Sequence, residues 1–511
     1  MRILAVTGQF AKEDVRRFSK DYDVDVIDLP VTVAAFLTPK KIASYLKQKD
    51  VTRYDFLLTP GLVRGDVGYI ERELGIPTYK GPRTAADLPV LLSLIERFKK
   101  VKLSKTVPAC VFIKEKLEKE IKKEIDRYRE DRELINNLLG REGNFLIKDL
   151  PLGKDFPMRV LAEVVNAPIL KKRELIAKVE YYISNGADMI DLGMIAGEDY
   201  AKKAGKLVKI VKDNFDCPVS IDSMNPEEIW SGVNKGADLV LSGDKSNLDD
   251  LSGIDVPVVI VPTDYSREYV PHKFEERIKL LKENIDIALR NKIFPIADPL
   301  LDPIHSTSLS ESIATCVLFR REFKNIPLFF GLGNVTELLD ADSPGATAVL
   351  AGIASELDAC ILFAPEASDK TRKNIRELSI ASKMMFISKI RRSPPKDIGI
   401  DLLTIKEKRK KGETLDIDVT KVEAKEKKGY RLDPAGIFRI IVDNRIRAIH
   451  FLNGKPTLEI VGENAKEICD EIMRRNLVSM LDHAFYLGRE LCKAEIALKL
   501  DKSYIQDLPL F

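Results

Sequence analysis

The chain has 511 residues, of which 45% are hydrophobic and 32% are charged, and its formal net charge at pH 7 is +3. This length predicts two to four domains, each large enough to bury a core. The small net charge gives no electrostatic reason to expect nucleic-acid or membrane binding, and no apolar run reaches the ~18 residues of a membrane helix. We therefore expect a cytoplasmic protein with reduced cysteines.

Residues 1–112 are predicted to form a small α/β domain. Short apolar strands alternate here with helical patterns. The candidate strands are Ile3–Thr7, Asp25–Leu29 and Asp55–Thr59. Neither Thr59-Pro60-Gly61 nor Lys80-Gly81-Pro82-Arg83 forms a dinucleotide fingerprint or a P-loop. The sequence therefore favours a docking or structural role for this domain over a nucleotide site.

Charged segments separate the predicted domains. Residues 113–147 are dense in Lys, Glu and Arg and predict a solvated helix that joins two domains. A second charged linker is predicted at 394–429, where interleaved acidic residues argue against a nucleic-acid patch. The tail, 430–511, has strand-like segments with hairpin turns followed by two helices, which predicts an α+β domain.

Residues 148–393 carry the clearest pattern, in which short apolar strands alternate with amphipathic segments. Eight strands over roughly 245 residues are typical of a TIM barrel. Only the fourth gap lacks an obvious helix. The expected fold class is α/β, with a central (β/α)8 TIM barrel between the small α/β domain and the α+β domain. The strands are predicted at 159–166, 189–193, 218–222, 239–243, 256–263, 294–298, 327–333 and 359–364.

An aspartate or asparagine follows strand after strand in this region. Barrel enzymes keep their sites at the carboxyl ends of the strands, so these residues predict the site. A ring of carboxylates and amides indicates a ligand rich in N–H donors, such as a pterin. The pyrimidinone edge of a pterin presents an amino group and a ring N–H side by side, and one carboxylate can accept both hydrogen bonds. Asp222 and Asp298 are the natural candidates for this contact.

The order of these motifs resembles that of the pterin-binding family, which contains dihydropteroate synthases and pterin-dependent methyltransferases. The segments that carry the resemblance are Gly186–Gly193, Pro218–Ser223 and Gly236–Ser242. Val165-Asn166-Ala167 resembles the first strand of the synthases, whereas Asp298–Pro303 and Gly331–Val335 resemble the methyltransferases. The tail segment 482–495 is similar to tails of archaeal methanopterin proteins. An archaeal-type protein related to dihydropteroate synthase is therefore expected.

The resemblance implies roles for particular residues. Asp222 and Asp298 match the aspartates that bind the pterin ring. Asn166 matches an asparagine associated with a magnesium ion and the substrate diphosphate, which implies Mg²⁺ as a cofactor. Asn334 matches the asparagine near the reacting nitrogen of the pterin. Asp191, at the end of the second strand, either contacts the ligand or supports its neighbours.

The chain departs from the synthase pattern at several positions. Ser242 and Asp244 stand near the place of the fourth-strand asparagine and are expected to bind substrate. The cations of the last two strands are missing, although a leaving diphosphate needs positive charge. Lys370 and Arg372, which follow strand eight, could supply it, and the alternative is that both are surface charges. Asn334, Lys370 and Arg372 are the predicted catalytic residues.

The expected activity is that of a dihydropteroate synthase-like transferase. Such an enzyme joins a pterin-methyl diphosphate to an arylamine, either 4-aminobenzoate or a ribosylated aminobenzene phosphate, in folate or tetrahydromethanopterin biosynthesis. One alternative is a methyltransferase that moves a methyl group between a reduced pterin and a corrinoid or thiol. Another is a non-catalytic pterin-binding subunit. The expected partners are a pterin and an arylamine, and a homodimer is left open.

Overall fold

The computed structural model describes residues 1–98, 103–396, 398–406, 420, 422–425 and 431–511. The chain divides into two compact units, residues 1–410 and 411–511. Most of the predicted charged linker at 394–429 lies outside the described residues. Within the described ranges, no helix is both long enough and apolar enough to cross a bilayer.

The first unit begins with a four-stranded parallel sheet in the order β2-β1-β3-β4. The strands are β1 (Ile3–Gly8), β2 (Val24–Leu29), β3 (Phe56–Thr59) and β4 (Thr78–Lys80). The helices are α1 (Lys12–Ser19), α2 (Pro39–Leu46), α3 (Gly68–Leu74) and α4 (Leu88–Phe98). One face of the sheet packs on α2 and α3, and the other packs on α1 and α4. Both faces are buried, which explains why the two central strands, β1 and β3, are nearly continuous apolar runs.

The charged segment that follows forms α5 (Lys114–Glu130) and α6 (Arg132–Leu139). The prediction of a solvated helix is wrong for one face of α5. Leu117, Ile121 and Ile125 are buried and belong to the same core cluster as the barrel helices. These residues recur every four positions and form a narrow apolar stripe on a helix that is otherwise charged.

An antiparallel hairpin, which the sequence analysis missed, precedes the barrel and consists of β5 (Asn144–Ile147) and β6 (Leu150–Gly153). Ile147 and Leu152 are buried among the side chains inside the barrel. Arg159, the first residue of the first barrel strand, donates from Nε to the carbonyl oxygen of Pro151 at 2.9 Å. The hairpin therefore covers the amino-terminal end of the barrel.

The barrel consists of eight parallel strands that close on themselves, which confirms the predicted fold. The strands are β7 (Arg159–Val164), β8 (Met189–Gly193), β9 (Val219–Asp222), β10 (Leu239–Gly243), β11 (Val258–Ile260), β12 (Pro295–Ala297), β13 (Leu328–Gly331) and β14 (Ala359–Pro365). Residues 244–257, all of them described, contain no helix, in agreement with the prediction for the fourth gap.

Helices follow the other barrel strands. They are α7 (Lys172–Ser184), α8 (Ala201–Asn214), α9 (Pro226–Val233), α10 (Phe274–Arg290), α11 (Leu309–Glu322), α12 (Gly333–Thr336), α13 (Ser343–Glu356) and α14 (Asn374–Arg391). The helix α12 is a single turn that was not predicted, and one residue separates it from the end of β13. This turn carries Asn334 at the rim of the barrel.

The second unit contains a three-stranded antiparallel sheet and two helices. The elements are β15 (Ile437–Val442), β16 (Ile446–Leu452), β17 (Lys455–Gly462), α15 (Ala465–Arg474) and α16 (Leu481–Leu500). Alternate strand residues such as Phe438 and Ile440 pack against both helices. The buried carboxylate of Asp433 accepts hydrogen bonds from the backbone N–H groups of Ser479 and Met480, both at 2.9 Å, and so fixes the start of α16.

Candidate functional site

Four acidic side chains lie at the carboxyl end of the barrel. Glu163 is on β7, Asp191 on β8 and Asp222 at the end of β9, and Asp298 directly follows β12. One carboxylate oxygen from each of Glu163, Asp191 and Asp222 lies within 4.8 Å of the other two. Burial raises the pKa of the Asp222 carboxyl, and the charge of Asp298 raises it further. We call these four residues the acidic cluster.

The strand register explains why these side chains meet. Glu163 pairs with Asp191 across β7 and β8, and Asp191 pairs with Ser220 across β8 and β9. Paired residues in a parallel sheet project to the same side, here the inside of the barrel. Gly193 provides the necessary space, because a Cβ atom there would lie 2.9 Å from Oε1 of Glu163.

Asp191 is the most deeply buried member of the acidic cluster, with a relative exposure of 0%. The hydroxyl of Ser220 donates to its Oδ1 at 2.5 Å. Its Oδ2 is buried and has no hydrogen-bond partner among the described residues. Burial and the charges of Asp222 and Glu163 together raise the pKa of Asp191 well above its usual range.

The other three members also resist ionisation. Burial raises the pKa of Asp298 to about 7. Burial and the charge of Asp298 raise the pKa of Asp222 to about 7, and burial with the charge of Asp222 does the same for Glu163. At neutral pH the acidic cluster therefore has a strong tendency to take up positive charge, as protons or as a cation.

The composition of the acidic cluster fits a divalent cation. Carboxylate oxygens are the ligands that Mg²⁺ prefers. The partnerless Oδ2 of Asp191 is a buried acceptor that such an ion would satisfy. Asn166, the predicted Mg²⁺ contact, is exposed in the loop after β7 with a left-handed backbone (φ 52°). Its role as a metal ligand stays a prediction.

Asp298 is held in a loop that other polar side chains fix. Its Oδ1 accepts from the N–H of Leu300 at 2.9 Å. Arg277 of α10 is wholly buried, donates to the Leu300 carbonyl oxygen at 3.0 Å, and forms a 2.7 Å ion pair with Asp302. The loop that positions Asp298 is therefore tied to the barrel wall by a buried cation.

Asn334 contacts the same loop from α12. Its side-chain Nδ2 donates to the carbonyl oxygen of Leu301 at 3.0 Å, and the residue as a whole is exposed. The structure thus places Asn334 next to the segment that follows Asp298, at the rim of the barrel. Its predicted contact with the reacting atoms stays a prediction.

Asp244 is held by the protein itself. Its carboxylate is wholly buried and accepts four hydrogen bonds, from Ser246 N and Oγ, Thr263 Oγ1 and Tyr265 N, at 2.5 to 2.8 Å. These bonds join the loops after β10 and β11, so the structure gives Asp244 a structural role where we expected substrate contact. Ser242 is partly buried, and its carbonyl oxygen accepts from Asn247 Nδ2 at 3.1 Å.

Lys370 and Arg372 both lie in exposed positions after β14. Lys370 Nζ pairs with Asp340 at 2.8 Å. The charge of Arg372 acts on Lys178 and Tyr181 of α7, on the outside of the barrel. A cation that the sequence analysis overlooked contacts the loop of Asn166, because Lys203 of α8 donates to the carbonyl oxygen of Pro168.

Glu163 and Ser220 were not among the predicted site residues. A single glutamate in the otherwise apolar part of β7 was the available signal for Glu163, because an acid at an inward position needs a partner or a ligand. Ser220 lies two residues before Asp222 and so on the same face of β9. Only the register across β8 shows that it contacts Asp191.

The fold and the acidic cluster define a (β/α)8 barrel protein with a polar ligand site at the carboxyl ends of its strands. Residues 166–339 match the family described as pterin binding enzyme. An uncharacterized protein of Methanocaldococcus jannaschii is 44% identical over 531 residues, an alignment that covers 100% of this chain and 99% of that protein. The chain belongs to the pterin-binding, dihydropteroate synthase-like family.

Other similarities are more local. Residues 1–83 match a family of unknown function (DUF6513), and residues 432–507 match the family named PterinBD-DUF4346. A dihydropteroate synthase of Clostridium beijerinckii is 28% identical over 124 residues, which are 22% of this chain and 46% of that protein. A solved dihydropteroate synthase of Xanthomonas albilineans covers 50% of this chain and 99% of its own, with 18% identity and a TM-score of 0.40.

Proposed function

We propose that the acidic cluster binds a reduced pterin and that the protein transfers a methyl group to or from it. The observation that carries this proposal is the convergence of Glu163, Asp191, Asp222 and Asp298, with raised pKa values, at the mouth of a barrel of this family. A methyl transfer makes use of a proton held near neutral pH, and it needs no site for a departing anion.

Asp222 and Asp298 are the residues proposed to bind the pyrimidinone edge. A carboxylate that accepts the amino and ring N–H groups together forms two charge-assisted hydrogen bonds in a partly dry pocket. Gly331 stands beside Asp298, where a Cβ atom would lie 3.9 Å from Oδ2 of Asp298. A flat ring can therefore approach Asp298 from the side of β13 without meeting a side chain from this position.

The remaining acids supply the proton. A methyl group leaves a tertiary amine nitrogen of the pterin readily only when that nitrogen is protonated. A protonated carboxyl, Glu163 being the candidate because burial raises its pKa to about 7, gives its proton to the nitrogen. The methyl group then passes to a thiolate or a corrinoid cobalt, the carbon–nitrogen bond breaks, and the nitrogen keeps the proton as N–H. Asn334 is proposed to orient that nitrogen from the rim.

The synthase reaction is a second candidate, which Lys203 and the similarity to a dihydropteroate synthase favour. Its difficulty is electrostatic, since a diphosphate brings negative charge to a mouth where burial already disfavours the ionised form of four acids. Lys370 pairs with Asp340, and the charge of Arg372 acts on Lys178 and Tyr181 of α7, so these contacts do not support the expected role of either cation at a diphosphate. A divalent cation held by Glu163, Asp191 and Asp222 would supply compensating charge for a diphosphate.

Two assays on the full chain separate these reactions. In the first, a methylated reduced pterin is incubated with a reduced corrinoid or a thiol, and methyl transfer is measured. In the second, a pterin-methyl diphosphate is incubated with 4-aminobenzoate, and diphosphate release is measured. We expect methyl transfer, reduced about a hundredfold by Asn334→Ala because one preorganised donor is lost, and unchanged by Lys203→Ala.

The opposite pattern is equally informative. Diphosphate release that depends on Lys203, without methyl transfer, would establish the synthase reaction and overturn our choice. Tight binding of the pterin without either reaction would identify a pterin-binding subunit.

A further inference from the structure

The N-terminal sheet has a small crevice at the point where its strand order reverses. In the order β2-β1-β3-β4, the chain reverses direction across the sheet between β1 and β3. Open parallel sheets bind ligands outside the carboxyl ends of their strands at this place. A cavity of about 100 Å³ lies there, between Thr7 of β1 and Thr59 of β3, with Arg83 at its edge.

A larger cavity of about 1030 Å³ continues from this crevice, and both cavities share Leu62 and Arg83 in their walls. Its far wall is formed by barrel helices, with Ala348 of α13 and Met384 of α14 among the lining residues. This volume is large enough for a drug-sized or nucleotide-sized molecule. It lies outside the barrel and is separate from the acidic cluster.

The charge of the larger cavity is positive. Lys80, Arg83 and Lys396 line it, and Asp401 is the one carboxylate among the lining residues that the structure describes. Three cations and one anion leave a charge of +2. A phosphate monoester carries −1.5 to −2 at neutral pH, so the charges match.

Lys80 is the residue that points most clearly to a ligand. It ends β4 and is only 5% exposed. Its ammonium group donates to the carbonyl oxygen of Val63 at 2.7 Å, and in the described part of the chain it forms no salt bridge. Burial lowers the pKa of Lys80. The charge of Arg83 also lowers this pKa, whereas the charge of Asp66 raises it. A buried ammonium group is costly unless an anion is paired with it, and among the described residues Asp66 acts on Lys80 without forming a salt bridge to it.

The backbone around Lys80 is built for close approach. A Cβ atom on Gly61 would lie 2.6 Å from the carbonyl oxygen of Gly81, so the turn after β3 rests directly on the turn after β4. Only glycine permits this contact. This contact holds the two turns together where Gly61 and Lys80 line the cavity.

We propose that this cavity binds a small phosphate ester, with the phosphate at Lys80 and Arg83 and the organic part against Ala348 and Met384. The site lies between the N-terminal domain and the barrel, so occupancy by the ester would link the two. This proposal does not depend on the reaction assigned to the barrel.

Calorimetric titration of the full chain tests the proposal, with adenosine monophosphate and inorganic phosphate as probes and adenosine as the uncharged comparison. We expect adenosine monophosphate to bind and adenosine not to bind. Lys80→Met should weaken binding of the nucleotide about tenfold or more, because a charge-assisted hydrogen bond is lost. Lys47→Met is the matched control, since Lys47 is an exposed residue of the same domain that pairs with Glu73.

Three results would overturn the proposal: no binding of either phosphate probe to the wild type, equal binding of adenosine and its monophosphate, or undiminished binding by Lys80→Met. Circular dichroism verifies that the variant is folded. We expect the pterin affinity of Lys80→Met to be unchanged. Loss of nucleotide binding alone then indicates a local effect at the cavity, whereas loss of pterin binding as well indicates a general effect on the fold. If Lys80→Met does not fold, Arg83→Gln takes its place under the same criteria.

Discussion

The hydroxyl of Ser220 donates to Oδ1 of Asp191 at 2.5 Å, and this contact fixes the direction of the deepest carboxyl in the barrel. Because Oδ1 is occupied, Oδ2 is the carboxylate oxygen left without a role, and it is buried without a partner among the described residues. Such a group is costly unless it holds a proton or meets a cation. The unsatisfied atom therefore identifies where the acidic cluster takes up positive charge.

The first prediction concerns pterin recognition. Replacing Asp222 or Asp298 by Asn turns an acceptor pair into an amide that cannot accept both N–H groups. Each charged hydrogen bond lost should cost about 1.5–3 kcal/mol, so the reduced pterin should bind roughly tenfold to over a hundredfold more weakly in a titration. Asp216→Asn is the control, because Asp216 is an exposed aspartate paired with Lys148. Unchanged affinity in both variants would remove these residues from the pterin site.

The second prediction concerns stability and pH. In the unfolded chain an aspartate titrates near pH 4, whereas the pKa of Asp298 in the fold is about 7. Between these values the folded state binds more protons, so the free energy of unfolding falls as pH rises, and the loss is complete above about pH 7. Each pKa unit corresponds to about 1.4 kcal/mol. Asp298→Asn should flatten this slope.

Denaturant unfolding at about pH 5 and about pH 8, with a chelator present, measures the slope. Asp340→Asn serves as the control, because the hydrogen bond and charge of Lys370 lower the pKa of Asp340 and its effect on stability has the opposite sign. A wild-type slope that survives in Asp298→Asn would mean that other groups cause it.

The third prediction concerns a divalent cation. Magnesium chloride should raise the thermal midpoint of the metal-free protein, because an ion that binds only the folded state stabilises it by mass action. Asp191→Asn keeps the acceptor for Ser220 but removes the charge, and it should abolish the rise. Asp340→Asn should retain the rise in thermal midpoint, because the Asp340 side chain is exposed to solvent and does not belong to the acidic cluster. If the wild type shows no rise, protons alone neutralise the acidic cluster.

The fourth prediction concerns α5. Ile121 is 1% exposed and packs in the same core cluster as the barrel helices. Ile121→Ala should therefore lower the free energy of unfolding by about 2–5 kcal/mol. Ile169→Ala, at a residue that is 65% exposed, should change it by less than about 0.5 kcal/mol. Similar effects of the two substitutions would show that α5 does not contribute to this core.

The barrel strands were predictable because each is a short, mostly apolar run, and several of them end at or just before a polar residue. Glu163 escaped notice because it lies inside a strand, and only the register with Asp191 shows that it faces the acidic cluster. The partner of Lys370 could not be foreseen either, since Asp340 is 30 residues away in the sequence and meets it through the packing of two loops.

Side-chain roles were harder to predict than positions. Asp244 ends a strand as Asp222 does, yet four donors from neighbouring loops surround it. The turn at Lys80 gave no sign that its ammonium group would be buried. In both cases the deciding contacts come from distant segments, which local patterns do not encode.

The hairpin of β5 and β6 has a kinetic consequence. With Ile147 and Leu152 filling one end of the barrel, molecules reach the acidic cluster from the other end alone. A pterin seated on Asp222 and Asp298 would lie beneath its co-substrate and would be trapped until the latter leaves. Steady-state kinetics should therefore show compulsory order, with the pterin first to arrive and last to depart.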